Sequence, residues 1–279
     1  MNDRVLHIEI ATRIARRLAR DAVWAGDCCT WMVSSELESE ADDPSYVAAD
    51  NTVEAGVGGV ALLLSRLLSR QPEPVLRTLL RGTLERLLHT NYDADSTLST
   101  VLIEGGSTLE DEQLVARGKA VYAAERPAAD NDHGTNATSP FCFTGQHAIN
   151  SVRAAAAILG GTNSLASAGT WDAMVRAVRE CVTFPAARRP PAVLPAFADL
   201  LIELGNTTGQ QEFQEFAKQL GRFSLDLSMQ QGLAWPWDLS AECPPIGLWN
   251  GLAGIAHFHL RLYDRTVPSI LYVDSCPSH

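Results

Sequence analysis

Leu248-Trp249-Asn250-Gly251-Leu252-Ala253-Gly254-Ile255-Ala256-His257-Phe258-His259-Leu260-Arg261-Leu262 is the stretch on which the fold turns. Glycines come first and apolar residues follow at helical spacing. That order predicts a buried helix whose first turn comes close to another backbone. The same order opens an earlier block, Gly56-Val57-Gly58-Gly59-Val60-Ala61-Leu62-Leu63-Leu64, continued by Leu67 and Leu68. Pro72 and Pro74 break the chain after it, and a partner helix is expected from Val75 to Leu88. A further unit runs from Gly145-Gln146-His147-Ala148-Ile149 through Val152, Ala155, Ala156 and Leu159, with a partner at Trp171–Val182. Another spans Val193–Leu204, stops at Gly205 and is answered by Gln211–Leu227. Glu110–Arg126 is expected to hold a weak fifth helix pair with its neighbours. Ile8–Val23 carries an apolar stripe (Ile8, Ala11, Ala15, Leu18, Ala22) beside a basic face of Arg13, Arg16, Arg17 and Arg20.

Helix pairs of this kind cannot bury their apolar faces alone, so they stack side by side. A stack that closes on itself is an α/α toroid, with the N-termini of its inner helices at one mouth. The expectation is therefore an all-α fold, a single domain over residues 1–279. A loop is expected at 34–51, where the sequence is polar and acidic and contains Pro44. A helical bundle or an open solenoid gives the same periodicity.

Composition agrees with helices. Of 279 residues, 46% are hydrophobic, and Ala and Leu dominate. The formal net charge of −11 repels phosphate backbones, and no segment concentrates enough Lys and Arg to reverse it, so nucleic acid is not an expected partner. The first residues include Asp3, Arg4, His7 and Glu9, which form no apolar leader. The longest apolar run, Gly56–Leu64, is too short to cross a bilayer. Six cysteines (Cys28, Cys29, Cys142, Cys181, Cys243, Cys276) in a chain of this length read as reduced thiols, and the expected location is the cytoplasm. The adjacent Cys28 and Cys29 read as small residues near a loop.

The block Leu248–Leu262 resembles the terminal repeat of the lanthionine synthetase C-like (LanC-like) cyclases, where Leu-Trp-x-Gly-x-Ala-Gly-Ile precedes a helix. Ala55–Leu62 is similar to that family's first repeat. Ala198-Asp199-Leu200-Leu201-Ile202-Glu203-Leu204-Gly205 resembles the segment after its Cys-His-Gly motif, and the lead-in through Cys29-Thr30-Trp31 is similar as well. The resemblance implies a LanC-like toroid with fewer repeats than usual, shortened between Asn91 and Ser139. It also implies a chemistry: addition of a cysteine thiol of a ribosomally made precursor peptide to a dehydroamino acid. In the family, Zn²⁺ held by two Cys and one His activates that thiol.

The zinc ligands do not carry over. Aligned on Gly145 and Ile149, the family's Trp-Cys pair falls on Cys142 and Phe143. Aligned on Ala198 and Asp199, its Cys-His-Gly falls on Pro191, Ala192 and Val193. Phe, Pro and Ala side chains bind no metal, and Cys142 alone would not hold one. The expectation is a metal-free, cofactor-free protein. Zinc-free cyclase domains occur in this family, in fused kinase–cyclase enzymes, so the resemblance allows a zinc-independent lanthipeptide-type cyclase. The second reading is a non-catalytic scaffold that binds precursor peptide and supports a partner dehydratase, kinase or lyase. A toroid enzyme on carbohydrate or isoprenoid substrates would want paired carboxylates or helical Asp-rich motifs, and Glu36–Asp43 lacks helical spacing.

Acid–base candidates for a metal-free addition are His147, in the first turn beyond Gly145, and His133, in Asp132-His133-Gly134. Cys142 is a candidate thiol because it precedes an expected helix N-terminus. Trp235, Trp237, Trp249 and Asn250 are the candidate peptide-binding residues, the tryptophans as an aromatic wall. His257 and His259 sit two apart on one helix and cannot share a face, so one is expected to be packed and the other exposed.

Overall fold

The computed structural model describes residues 3–34, 46–89, 96–125, 172–173, 175–178, 195–231 and 244–272, together with Val152 and Ala155. The described chain is mostly helical and divides into two compact units. One unit is assembled from two stretches, Met1–Asn131 and Asp238–Val267, with the segment Cys276–His279. The other comprises Asp132–Trp237 and Pro268–Ser275.

The first unit holds α1 (Asp3–Asp21), α2 (Val57–Leu68), α3 (Pro74–His89), α4 (Ser96–Leu109), α5 (Glu112–Glu125) and α8 (Leu252–Tyr263). Four three-residue strands follow α1: β1 (Val23–Ala25), β2 (Cys28–Thr30), β3 (Met32–Ser34) and β4 (Tyr46–Ala48). They pair antiparallel as β1–β2, with Trp24 facing Cys29, and β3–β4, with Val33 facing Val47. The sequence pattern did not announce these small sheets, and β4 lies inside the stretch expected as a loop. Residues 35–45 of that stretch lie outside the described residues. Strand β2 packs on α3, where the Cys29 thiol donates to Leu79 O at 3.8 Å; burial is the main cause that pushes this thiol up to about 12. The Trp31 indole N–H donates to Leu18 O at 2.8 Å and ties the strands to α1.

Helix α2 is the centre of this unit. All twelve of its residues are buried, and it packs on α3, α4 and α8. Its Leu62, Leu63, Leu64 and Leu67 are fully covered. A fully buried apolar side chain contributes about 1.5–3 kcal/mol relative to exposure, so the fold depends heavily on this helix. Helix α1 lies on α8 and α3 through Ile10, Ala11, Ile14, Ala15 and Leu18, all buried, while its arginine-rich face is outside. Helices α4 and α5 form an antiparallel-neighbour hairpin turned by Glu110, whose φ is +60°.

In the second unit, α6 (Pro195–Thr208) packs on α7 (Gln211–Gln231) and on a 3-10 turn at Ile270–Tyr272. The Asp199 carboxylate, 1% exposed, accepts from the Ser269 hydroxyl and from Ile270 N at 3.1 Å, and so fixes that turn on α6. Helical backbone also occurs at Val152 and Ala155 and at 172–173 and 175–178, within the pair expected at Gly145–Leu159 and Trp171–Val182. No helix among the described residues is long and apolar enough to cross a membrane.

Candidate functional site

Two glycine-started helices, α2 and α8, meet at their entries. Gly56 caps α2 at φ −123°, ψ −153°, and Gly251 caps α8 at φ −129°, ψ −167°. The turns leading in share one hydrogen-bond scheme. Gly56 N donates to Thr52 O and Gly251 N to Gly247 O, each at 3.1 Å and four residues back. Val57 N reaches Asp50 O at 2.9 Å, and Leu252 N reaches Pro245 O at 3.0 Å, each seven residues back. The two turns are then stitched together: Leu248 N donates to Val53 O at 3.2 Å and Trp249 N to Glu54 O at 3.0 Å.

Glycine is required here for space. A methyl on Gly59 would meet Val53 O and come within 2.8 Å of Leu248 N; one on Gly247 would run into Glu54 O and the Ala55 backbone. Both are backbone contacts, which cannot swing aside as a side chain can.

Trp249 and Asn250 sit at this junction. Trp249 is 7% exposed, so most of its ring is covered. Asn250 is half-buried, and its Oδ1 is shielded from solvent with no hydrogen-bond partner among the described residues. An unmet amide oxygen is an acceptor waiting for an N–H, and leaving it unmet costs about 1–3 kcal/mol. Among the described residues it is the predicted peptide-binding group that offers an unmet acceptor. His133, Cys142, His147, Trp235 and Trp237 lie outside the described residues, as do Phe143, Pro191 and Ala192. Among the described residues, then, the structure brings together Trp249 and Asn250 only.

Further along α8 the sequence reading needs correction. His257 and His259 are both 0% exposed, whereas one of them was expected at the surface. They do point to different sides, but α8 is covered on both: α2 takes His257 and α1 takes His259. His257 Nε2 lies 2.9 Å from Arg66 Nη1. A guanidinium only donates, so Nε2 accepts and the ring proton is on Nδ1, which has no partner among the described residues. Arg66, itself 4% exposed, is held by Glu104 through two contacts of 3.0 Å. Burial, followed by Arg66, Arg261 and Arg70, holds His257 well below the usual histidine range. With its lone pair committed to Arg66 and no exposure to solvent, this ring cannot serve as an external base.

At the end of α8, Asp264 binds Arg70 at 3.1 Å and accepts from Thr266 N at 3.0 Å; the Thr266 backbone bond is the first cause of its lowered pKa. Sequence reading missed the Arg66–Glu104–His257 network. Arg66 and Glu104 look like solvated charges until α4 is placed beside α2.

No protein-family model matches the chain, and a search of curated proteins finds no match either. Among the described residues no group of three or more His, Cys, Asp or Glu could hold a metal ion.

Proposed function

We propose that this chain is a zinc-independent lanthipeptide-type cyclase, or the cyclase component of such a system, built on a shortened α/α toroid. One observation carries the reading. The entries of α2 and α8 share dihedral angles and hydrogen-bond offsets, and they lie in the two blocks that resemble the first and terminal LanC-like repeats. Internal repetition of an inner-helix entry is what a toroid of helical hairpins needs. The substrate is a dehydrated, cysteine-containing precursor peptide in the cytoplasm. The unmet Asn250 Oδ1 beside Trp249 would accept one of its backbone N–H groups.

The addition forms a C–S bond to the β-carbon as the thiol proton leaves and the C=C π bond opens to an enolate, whose α-carbon then takes up a proton. It requires a held peptide, a base for the thiol and an acid for the enolate. His147 and His133 are the residues proposed for proton transfer, with Cys142 as a candidate reactive thiol. The second reading, a scaffold that binds precursor peptide for a partner dehydratase or kinase, is favoured by one fact: the described histidines of α8 are sealed from solvent.

The deciding experiment incubates the purified chain with a dehydrated precursor peptide and follows free thiol, with and without chelator. Thiol loss that survives chelation is expected, and His147→Ala or His133→Ala should abolish it. Peptide binding without thiol loss in either condition leaves the scaffold reading in its place.

A further inference from the structure

The strands that follow α1 present an apolar face to the outside. From Cys28 to Ser34 burial alternates: Cys29 and Trp31 are buried, while Met32 and Ser34 are exposed and Cys28 and Thr30 are half-buried. A period of two is that of one extended strand covered on a single side. Strand pairing adds to its outward face. Val23 of β1 lies opposite Thr30, Ala48 of β4 opposite Met32, and Tyr46 opposite Ser34. Val23 is 48% exposed, Met32 39% and Tyr46 38%. Trp24 and Val47, on the reverse side, are exposed as well. Five of the seven large apolar side chains exposed among the described residues therefore fall in these four strands; the other two, Val5 and Val75, stand singly on α1 and α3. Scattered apolar side chains are ordinary on a surface, but a cluster marks a place where something docks.

The backbone says in what form. Ala49 N donates to Trp31 O at 2.8 Å, which makes that directly opposed couple a hydrogen-bonded pair. In an antiparallel ladder the next couple, Met32 and Ala48, turns its N–H and C=O groups away from the partner strand. The sheet has two strands, so those of Ala48 face its outer edge. An extended segment laid along that edge pairs with Ala48 and sets alternate side chains on the face of Met32 and Val23.

The charges nearby choose the sign of the occupant. Arg17 and Arg20, at the end of α1, are both held by Asp21. Arg86 is tied to Asn51 and to Ala49 O. Asp27 is exposed in the turn between β1 and β2. Between Ser34 and Tyr46 the sequence adds Glu36, Glu38, Glu40, Asp42 and Asp43, with no Lys or Arg. A second copy of the chain would bring this excess of carboxylates against itself, whereas a basic segment is attracted.

We propose that the outward face of these strands docks an extended peptide segment, in which apolar side chains alternate with Lys or Arg, along the edge of β4. The surface includes none of the residues assigned to the cyclase reading, so the two stand or fall separately.

Fluorescence anisotropy of the full chain with a labelled (Lys-Val)4 peptide tests the surface. Saturation below about 1 mM peptide is expected. Val23→Thr/Met32→Thr, which removes apolar surface at unchanged charge, should weaken binding by about tenfold or more. The same change at the isolated valines, Val5→Thr/Val75→Thr, should leave it as it was. A (Glu-Val)4 probe should bind at least about tenfold more weakly. So should (Lys-Val)4 methylated at the valine nitrogens, which lacks the N–H groups that pair at Ala48. No saturation, equal binding of the acidic probe, indifference to methylation, or an equal loss in the two double variants overturns the proposal. So does a dimer in sedimentation that Val23→Thr/Met32→Thr abolishes, since the face then belongs to a second copy. Should that variant fail to fold, amide NMR of the unaltered chain decides: shifts on titration are expected across 23–25 and 46–48, and shifts confined elsewhere refute the site.

Discussion

Counted from their capping glycines, Gly56 and Gly251, helices α2 and α8 run in parallel register. Where α2 has Leu62, Leu63 and Leu64, α8 has His257, Phe258 and His259; Arg66 and Arg261 also correspond. All eight of these side chains are buried. Backbone approach dictates the entries, so Gly56 and Gly59 of α2 recur as Gly251 and Gly254 of α8, with the same turn. Interiors answer to neighbours instead. Helix α2 lies against α3, α4 and α8, and at Leu62, Leu63 and Leu64 leucine suffices. Helix α8 must meet Arg66 on one side and His7 on the other, and at both places an imidazole supplies what leucine cannot.

The comparison breaks most visibly at the shared junction. Gly59→Ala and Gly247→Ala each force backbone apart, and each should cost about 3 kcal/mol in urea denaturation with little change in m. The double variant should cost less than the sum, because both act on one junction. A loss under about 1 kcal/mol would show that the entries are not tightly stitched.

The second effect separates the two interiors by pH. His257 and His259 are both held below the usual range, so the unfolded chain binds their protons first. Stability should be full above about pH 6.5 and decline as the pH falls below it. Writing α2 into α8, as His257→Leu/His259→Leu, should flatten that slope in a series of denaturation midpoints.

Removing the anion that holds Arg66 comes next. Glu104→Ala leaves a guanidinium with 4% exposure facing His257 without its carboxylate, and about 2 kcal/mol should be lost. The smallest change sharpens the contrast by its silence. Glu9→Ala removes a 3.8 Å pair with Arg13 between two well-exposed side chains and should stay within about 0.5 kcal/mol.

Much of the helical layout was legible. Val75–Leu88 emerged as Pro74–His89, Gln211–Leu227 as Gln211–Gln231, and Glu110–Arg126 as Glu112–Glu125. Long 3.6-residue periods survive any local ambiguity. Helix α4 was not singled out in the sequence, where Gly105 and Gly106, in its second half, weaken the helical pattern. In the structure they are where α4 presses on Leu84 of α3 and on Leu114 and Val115 of α5, so the missing side chains admit close packing. The four strands are three residues each, too short for an alternating pattern to register. Of the site, Trp249 and Asn250 were singled out by their place before Gly251. The burial of both His257 and His259 could not be read, since it depends on α1 and α2 closing over α8 from opposite sides.

The stitching of Leu248 to Val53 and of Trp249 to Glu54 has a consequence for how the chain reaches its fold. These partners come from the two separate stretches of the first unit, and the Asp132–Trp237 portion of the second unit is synthesised between them. Until α8 leaves the ribosome, α2 lacks one of its walls and α1 has lost its principal seat. Closing so long a loop is slow, and the leucines of α2 are uncovered in the interval. Refolding should therefore be limited by docking of the last helix, and the nascent chain is at its most aggregation-prone just before that helix arrives.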